Sequence, residues 1–367
     1  MIKVIKDWLH CYFSDPQAVF LGILLVAIFT ILMTMNEMLA PVLASLVIAY
    51  LLDGVIEKMH LWHIPRSLAV FLVYSAFIML LMFIIVVLLP LVSYQLTQLI
   101  QELPSMVVRG HQLLHDLPEK YDIISAEQVE GIINSIRIKV DQIARLILSY
   151  SLASIPAVIT LLVYSILVPL LVFFFLKDKD KIIKWIVAFL PKEHTVAKNV
   201  WFEMDAQMGN YIRGKVYEVF IVGTFSYFPF AYMDLNYASL LAVLVGLSVI
   251  IPYVGAVVVT FPVFLVAYFQ WGIGSDFFWV MGMYGIIQGL DGNVLVPLLF
   301  SEAVNLHPVA IIVAVLVFGG IWGFWGVFFA IPLATLVKAL LSAWPRSPIP
   351  IKEEVNIQPP QKVAEQN

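Results

Sequence analysis

Apolar residues form a series of long blocks along the chain, and short polar segments separate one block from the next. A helix needs about 20 mostly apolar residues to cross a bilayer. The blocks lie at residues 18–35, 39–52, 67–92, 155–176, 216–233, 237–271, 277–300 and 308–341. We therefore predict an all-α integral membrane protein with about seven or eight transmembrane helices.

Two of the C-terminal blocks, 237–271 and 308–341, are longer than one simple crossing requires. Each is interrupted near its middle by proline or glycine, which break or bend a helix. We predict two interrupted segments. The C-terminal half needs an even number of crossings, which allows four single crossings, or two crossings with the interrupted segments as re-entrant hairpins. Such breaks free backbone groups inside the membrane, as in the discontinuous helices of transporters. The residues at the two breaks are Pro252, Tyr253, Gly255, Gly319, Gly320 and Gly323.

The segment 93–154 has a different composition, with mixed charges and few aromatic residues. Between 129 and 147, apolar residues recur at alternating spacings of four and three, which is typical of a heptad seam. We predict a helical insertion that Pro104 and Pro118 divide into two or three helices. Its seam either folds back on the same chain or contacts a second copy, which makes a homo-oligomer one possible state.

Lysine and arginine placement predicts the orientation, because positively charged loops stay in the cytoplasm. The connection 177–215 holds eight of the 21 basic residues and is predicted to be cytoplasmic. Counting spans back from this connection places the N-terminus in the cytoplasm and the insertion outside, and the basic residues of the tail place the C-terminus in the cytoplasm too. The resulting parts are spans 1–92, an extracytoplasmic module 93–154, a span 155–176, a cytoplasmic connection 177–215, a transport half 216–341 and a disordered tail 342–367.

The amino-acid composition narrows the range of possible functions. The chain is 62% hydrophobic and 13% charged, whereas soluble proteins average about 50% and 25%. A net charge of −4 argues against a nucleic-acid partner. The sequence lacks the phosphate-binding loop and the common hydrolase, zinc-protease and paired-cysteine motifs, so we predict neither an enzyme nor a bound cofactor. Two histidine pairs, His60 with His63 and His111 with His115, lack further ligands, and no metal site is predicted.

A polar strip at 288–297 interrupts the block 277–300. It contains an acidic residue, and ionisable groups within membrane segments tend to mark solute or ion pathways. We predict that the strip unwinds and offers side chains and backbone groups to a polar solute or a cation. The alternative is a polar turn at a helix end. The candidate pathway residues of the strip are Gln288, Gly289, Asp291, Gly292, Asn293 and Pro297.

Two further residues stand at the predicted ends of spans. Arg213, at the inner end of the fifth span, is either a gate or an anchor whose charged group reaches the membrane surface. His307 precedes Pro308 and either titrates near neutral pH as a gate or begins the last helix as an anchor. We favour the anchoring role for both.

Several short motifs together resemble the autoinducer-2 exporter family of permease-like proteins. The matching motifs are Phe175–Asp178, Tyr211–Gly214, Ile251–Gly255 with Pro262 downstream, Gln288–Pro297, Leu306–Pro308 and Ile331–Ala334. The resemblance implies a multi-pass inner-membrane transporter. Some members of that family are linked to export of a quorum-sensing signal and others to sodium/proton exchange.

Three functions follow from these observations. The first is a secondary transporter or permease that exports a small polar solute similar to autoinducer-2. The second is a monovalent cation/proton antiporter in which Asp291 carries the ion or proton. The third is a non-transporting scaffold that acts through the extracytoplasmic module. The lipid bilayer is a partner in all three.

Overall fold

The computed structural model describes residues 16–115, 154–188, 195–252, 254–300 and 306–343, with three isolated positions at 131, 138 and 142. These ranges consist of helices and the turns between them, which confirms the all-α fold. Six helices in the described ranges are long and apolar enough to cross a membrane. Their outer faces carry large apolar side chains such as Val257, Phe261 and Leu316, each more than half exposed. Lipid is the natural solvent for such faces.

The N-terminal half contains six helices in the described ranges. They are α1 (Pro16–Thr34), α2 (Asn36–Leu61), α3 (Arg66–Phe83), α4 (Leu89–His115), α5 (Ser154–Lys177) and α6 (Lys179–Val187). A π-helical turn, Ile84–Leu88, joins α3 to α4 without a break. The third span therefore continues past residue 92, and the predicted division at Pro104 is wrong. A proline removes one backbone hydrogen bond, and the bonds on either side keep this long helix continuous.

Helices α2, α3 and α5 share an apolar core that includes Ile56, Val73 and Val172. Their polar ends meet in a network of ion pairs. Lys179 contacts Asp53 and lies 3.3 Å from Glu57, and Arg66 lies 3.0 Å from Asp180. Burial alone would lower the pKa of Lys179, but its hydrogen bond to Asp53 raises it overall. We call this the basic end of the molecule.

The C-terminal half contains seven helices in the described ranges. They are α7 (Thr195–Tyr232), α8 (Ala238–Ser248), α9 (Val254–Trp271), α10 (Ser275–Leu290), α11 (Val296–Phe300), α12 (Pro308–Phe328) and α13 (Ala330–Ala343). The helix α7 has 38 residues, so it begins within the predicted cytoplasmic connection and continues through the predicted fifth span. It starts at the basic end, where the Asp205 carboxylate accepts a 3.0 Å hydrogen bond from Tyr50 of α2.

Helices α8 and α9 form a hairpin that starts and finishes at the end of the molecule opposite the basic end, which we call the far end. There the Gln270 side chain accepts a hydrogen bond from the Asn236 N–H and donates one to the Asp234 carbonyl, both at 2.7 Å. The hairpin is very tight, because a Cβ added to Gly255 would lie 1.7 Å from the Ser248 carbonyl oxygen. The predicted break in the block 237–271 is confirmed, and its form is a hairpin.

The second predicted break, in the block 308–341, lies in the region of helices α12 and α13. Gly323 has φ +59° and ψ −136°, a backbone conformation that favours glycine. The chain reverses there, so a Cβ added to Gly326 would lie 1.8 Å from the Phe318 carbonyl oxygen. The returning helix α13 packs along α7. The break in the block 308–341 is therefore also confirmed.

The long helix α7 connects the parts of the bundle. One apolar core joins it to α8, α9 and α10 and includes Val222, Val245, Val263 and Val280. A second, smaller core joins it to α11 and α13, with α2 packed at its edge. At its closest approach to α8, a Cβ on Gly246 would lie 2.8 Å from the Val219 carbonyl oxygen. Both hairpins thus rest on one helix.

Candidate functional site

Three polar residues lie one turn apart on α7, in the middle of the bundle. They are Tyr211, Lys215 and Glu218, and all are buried. The Lys215 ammonium lies 2.7 Å from the Glu218 carboxylate, and the two side chains are only 7% and 2% exposed. A buried ion pair of this kind is costly to form and strongly destabilising to break. The pair therefore needs a reason in the surrounding structure.

That reason lies in the two hairpins. The Lys215 ammonium donates a 2.7 Å hydrogen bond to the carbonyl of Val249, directly after α8 ends. The Tyr211 hydroxyl donates a 3.4 Å hydrogen bond to the carbonyl of Phe328, at the end of α12. An unpaired carbonyl inside an apolar bundle would cost several kcal/mol, on the order of 1–3. At Val249, the expectation of a free backbone group at the first break is wrong, because α7 supplies the partner. At Phe328, five residues beyond the reversal at Gly323, α7 also supplies the partner.

The polar strip around Asp291 also differs from the prediction. The helix does not unwind there. Residues Asp291–Leu295 form one π-helical turn between α10 and α11, in which the Val296 N–H donates to the Asp291 carbonyl. The wider turn absorbs the strip within a continuous helix, and π turns of this kind are frequent at functional sites. The Asn293 amide donates 2.8 Å to the Gly289 carbonyl, so this side chain is satisfied within its own helix.

Asp291 itself points into the protein. One oxygen of its carboxylate, Oδ1, is buried and has no hydrogen-bond partner in the described part of the chain. The carboxylate interacts electrostatically with both Glu218 and Lys215. Two acidic groups and one basic group therefore share a small region beside the first hairpin. Such an imbalance of buried charge is typical of functional sites.

A chain of hydrogen bonds extends from Gln288 to the same hairpin. The Gln288 amide donates 2.9 Å to the Tyr284 hydroxyl, which lies 2.8 Å from the Thr260 hydroxyl of α9. Thr260 in turn donates 2.7 Å to the carbonyl of Ala256. Polar groups therefore connect α10 to the hairpin, one turn from the position of Asp291. Of the predicted strip residues, Gln288 and Asp291 reach the site, while Gly289, Gly292 and Pro297 are exposed.

Arg213 and His307 lie away from this region. The Arg213 guanidinium sits 5.9 Å from the centre of the Tyr50 ring and donates 3.2 Å to the Asn210 side chain. It therefore packs against α2. His307 precedes α12, and its Nδ1 accepts a 3.3 Å hydrogen bond from the Val309 N–H. His307 therefore caps the start of α12, which agrees with the anchoring role that we favoured from the sequence.

Other predicted residues are not brought to the site. Gly319, Gly320 and Gly323 belong to the α12–α13 hairpin, where α12 packs mainly against α13. Tyr253 lies outside the described residues, although Pro252 and Gly255 form the first hairpin on either side of it. The heptad seam at 129–147, Pro118 and the tail beyond 343 also lie outside them. Self-association through the seam stays a prediction.

Sequence reasoning missed the residues at the centre of the site. Position 215 marks only the end of the predicted connection 177–215, and the sequence analysis assigns no role to Glu218. Their spacing of three places both on one face of a helix, where opposite charges pair. A Lys and a Glu at that spacing, directly inside an apolar block, is the signal that identifies them. Tyr284 and Thr260 carry no comparable signal, because hydroxyls are common in apolar helices.

A bundle of long apolar helices, with two helical hairpins packed against one central helix, is the architecture of a multi-pass membrane protein. Comparison with known proteins identifies its family. Residues 19–346 match the family described as "AI-2E family transporter". The chain belongs to that family.

Curated relatives are similar over most of their length. The protein described as "Putative permease PerM" of Escherichia coli (strain K12) is 44% identical over 346 residues, which cover 94% of this chain and 98% of the relative. "Putative transport protein YueF" of Bacillus subtilis (strain 168) is 27% identical over 309 residues, 82% of each chain. "Putative transport protein YrrI" of the same organism is 25% identical, over 82% of this chain and 85% of its own. All three descriptions name a permease or transport protein.

Proposed function

We propose that this protein exports a small, polar, uncharged solute, such as autoinducer-2, across the bacterial inner membrane. The observation that carries the proposal is the polar track from Gln288 through Tyr284 to Thr260, which lies beside Asp291 between α10 and the first hairpin. Hydrogen-bonding groups inside an apolar bundle replace the hydrogen bonds that a polar solute loses when it leaves water. The solute exchanges hydrogen bonds with Gln288 and Tyr284 as it passes.

The first hairpin supplies a movable element. Its tip is held to α7 through the bond between Lys215 and the Val249 carbonyl. When that bond breaks, the Glu218 carboxylate still neutralises the ammonium, so the tip is released without leaving an isolated charge. Transporters commonly alternate access by moving one element against another around a central site. In this proposal, the hairpin moves and α7 stays in place.

The proposed orientation follows from charge. The basic end, with Arg66, Lys179 and Lys181, faces the cytoplasm, because positively charged segments remain on that side. Both termini are then cytoplasmic, and the far end with Asp234 and Gln270 faces outward. Tagging each terminus with an alkaline phosphatase reporter tests this orientation. Phosphatase activity at either terminus would contradict it.

Replacing Gln288 with leucine tests the track. We expect Gln288→Leu to lower export about tenfold, because losing hydrogen bonds in a desolvated site costs about 1–1.5 kcal/mol. The measurement is the intracellular level of autoinducer-2 in cells that lack the native protein and carry each variant at equal membrane abundance. Ser165→Ala is the control, since the Ser165 hydroxyl bonds only within α5. Equal export by Gln288→Leu and the native protein would contradict the track.

A second candidate function is exchange of a monovalent cation for a proton. The observation that favours it is the buried, unpartnered Oδ1 of Asp291. A carboxylate in that position binds either a proton or a small cation. We expect Asp291→Asn to abolish sodium-dependent collapse of a pH gradient in everted vesicles. If the native protein shows no such collapse, antiport is excluded, and a response retained in Asp291→Asn removes this residue from the mechanism.

A further inference from the structure

A polar cleft of about 530 Å³ opens at the far end, between α4 and the turn that leads from α7 to α8. Its volume falls within the range of about 300–1,000 Å³ that is usual for small-molecule sites. Most of its lining side chains are amides. The lining includes the amides Gln95, Gln98, Gln101 and Asn236, together with Glu102 and Tyr237.

Two hydrogen bonds join the walls of the cleft. The Gln95 side-chain carbonyl accepts a 2.8 Å bond from the Leu240 N–H, one of the free N–H groups at the start of α8. The Tyr237 hydroxyl donates to the Glu102 carboxylate. Burial and this hydrogen bond raise the pKa of Tyr237 to about 12, so its hydroxyl keeps the proton at neutral pH. The cleft therefore has a preformed frame.

Two amides in the cleft are free to bind a ligand. The side chains of Gln98 and Gln101 make no hydrogen bond within the described residues, although both line the cleft. Each primary amide has two N–H donors and one carbonyl acceptor. A hydroxyl group also both donates and accepts, so a solute with several hydroxyls matches this wall. The Asn236 amide presents the same groups from the opposite wall.

The remaining chemistry of the cleft excludes other ligand classes. Among the described residues that line it, none is lysine, arginine or histidine, so these walls offer an anion no counter-charge. The part of these walls that the structure describes carries no large aliphatic side chain, so an apolar ligand gains little from burial there. One carboxylate is present, and one oxygen of Glu102 accepts the hydrogen bond from the Tyr237 hydroxyl. A neutral, hydroxylated solute is the class that these groups fit.

We propose that this cleft binds a neutral polyol, with Gln98 and Gln101 as its principal contacts. The cleft adjoins the start of the first hairpin, because α4 bonds to Leu240 and Tyr237 directly precedes α8. Under the proposed function, it is the docking site at the outer end of the solute's route. The binding itself does not depend on transport and is measured separately.

Equilibrium dialysis with the purified full-length protein in detergent micelles tests the proposal. The probes are radiolabelled ribose and xylitol, with gluconate as the anionic comparison. We expect saturable binding of at least one polyol and no saturable binding of gluconate. The double variant Gln98→Leu/Gln101→Leu raises the Kd of the bound polyol at least about tenfold, because two contacts are lost.

Two further variants separate the cleft from general damage. Asn236→Ala, from the opposite wall, also weakens polyol binding. Thr97→Val lies on the same helix outside the lining, where the Thr97 hydroxyl bonds only to the Ser93 carbonyl, and it leaves binding unchanged. The proposal is overturned if neither polyol binds the native protein, if the double variant binds as well as the native protein, or if gluconate binds more tightly.

Failure of this inference is distinguishable from failure of the proposed function. Gln288→Leu changes the track and leaves the cleft intact, so it retains polyol binding whatever its export. Polyol binding without any export of solute contradicts the proposed function alone. Export that is intact in the Gln98→Leu/Gln101→Leu variant, together with unchanged binding, contradicts the cleft alone.

Discussion

Replacing Lys215 with methionine is expected to destabilise the protein by about 3–5 kcal/mol and to abolish transport. The substitution leaves the Glu218 carboxylate buried without its partner, and it removes the donor to the Val249 carbonyl at the hairpin tip. The measurement is the thermal unfolding midpoint of the detergent-solubilised protein, read from the amount of protein that stays monodisperse in size-exclusion chromatography after heating. Lys184→Met is the matched control, because Lys184 is exposed on α6.

A double variant separates charge from the hydrogen bond to the hairpin. Lys215→Met/Glu218→Leu removes both charges, and replacing a buried pair with apolar side chains is often neutral or stabilising. We expect the double variant to regain most of the lost stability. Transport stays lost, because the Val249 carbonyl still lacks a donor. An unfolding midpoint of Lys215→Met equal to that of Lys184→Met would contradict the role of the pair.

Replacing Gly255 with alanine is expected to open the first hairpin. The added Cβ would lie 1.7 Å from the Ser248 carbonyl oxygen, a distance at which backbone atoms must move apart. Overpacking a well-packed region usually costs about 1–3 kcal/mol, and the cost here is at the upper end because a backbone atom cannot rotate away. The measurement is the amount of monodisperse protein that survives a heating series.

The control for this substitution is another glycine in the same half of the molecule. A Cβ on Gly282 of α10 would meet no atom within 4 Å, so Gly282→Ala leaves stability unchanged or raises it. Gly326→Ala, whose Cβ would lie 1.8 Å from the Phe318 carbonyl oxygen, is expected to resemble Gly255→Ala. A Gly255→Ala protein that survives heating as well as Gly282→Ala would show that the hairpin is not closely packed.

Local chemistry made parts of this structure predictable. Apolar blocks longer than one crossing, broken by Pro252 and by Gly323, were enough to predict the two interruptions, and only the structure shows that the chain reverses at each. Asp291 stood out because a charge within an apolar block is costly. The strip around it was predicted to unwind, yet a π turn keeps it helical. Glycine and polar content permit either outcome, and the packing of neighbouring helices selects one.

Pro104 shows the same limit in the N-terminal half. A proline in a polar segment favours a helix end, and the prediction followed that rule. In the folded protein, Glu102 of α4 bonds to Tyr237, far away in sequence, and Met106, on the other side of Pro104, is buried. Those contacts favour continuation of the helix, and no local pattern reports them.

The amino-acid sequence alone is sufficient to predict the membrane class, the approximate spans, the two breaks and the resemblance to a transporter family. Each of these depends on the hydropathy or the backbone preference of residues that are close together in the sequence. The tertiary structure decided which groups satisfy the carbonyls at those breaks. Lys215 reaches Val249 and Tyr211 reaches Phe328 across 34 and 117 residues. Which buried donor meets which freed acceptor depends on how helices pack against α7, and that information exists only once the chain has folded.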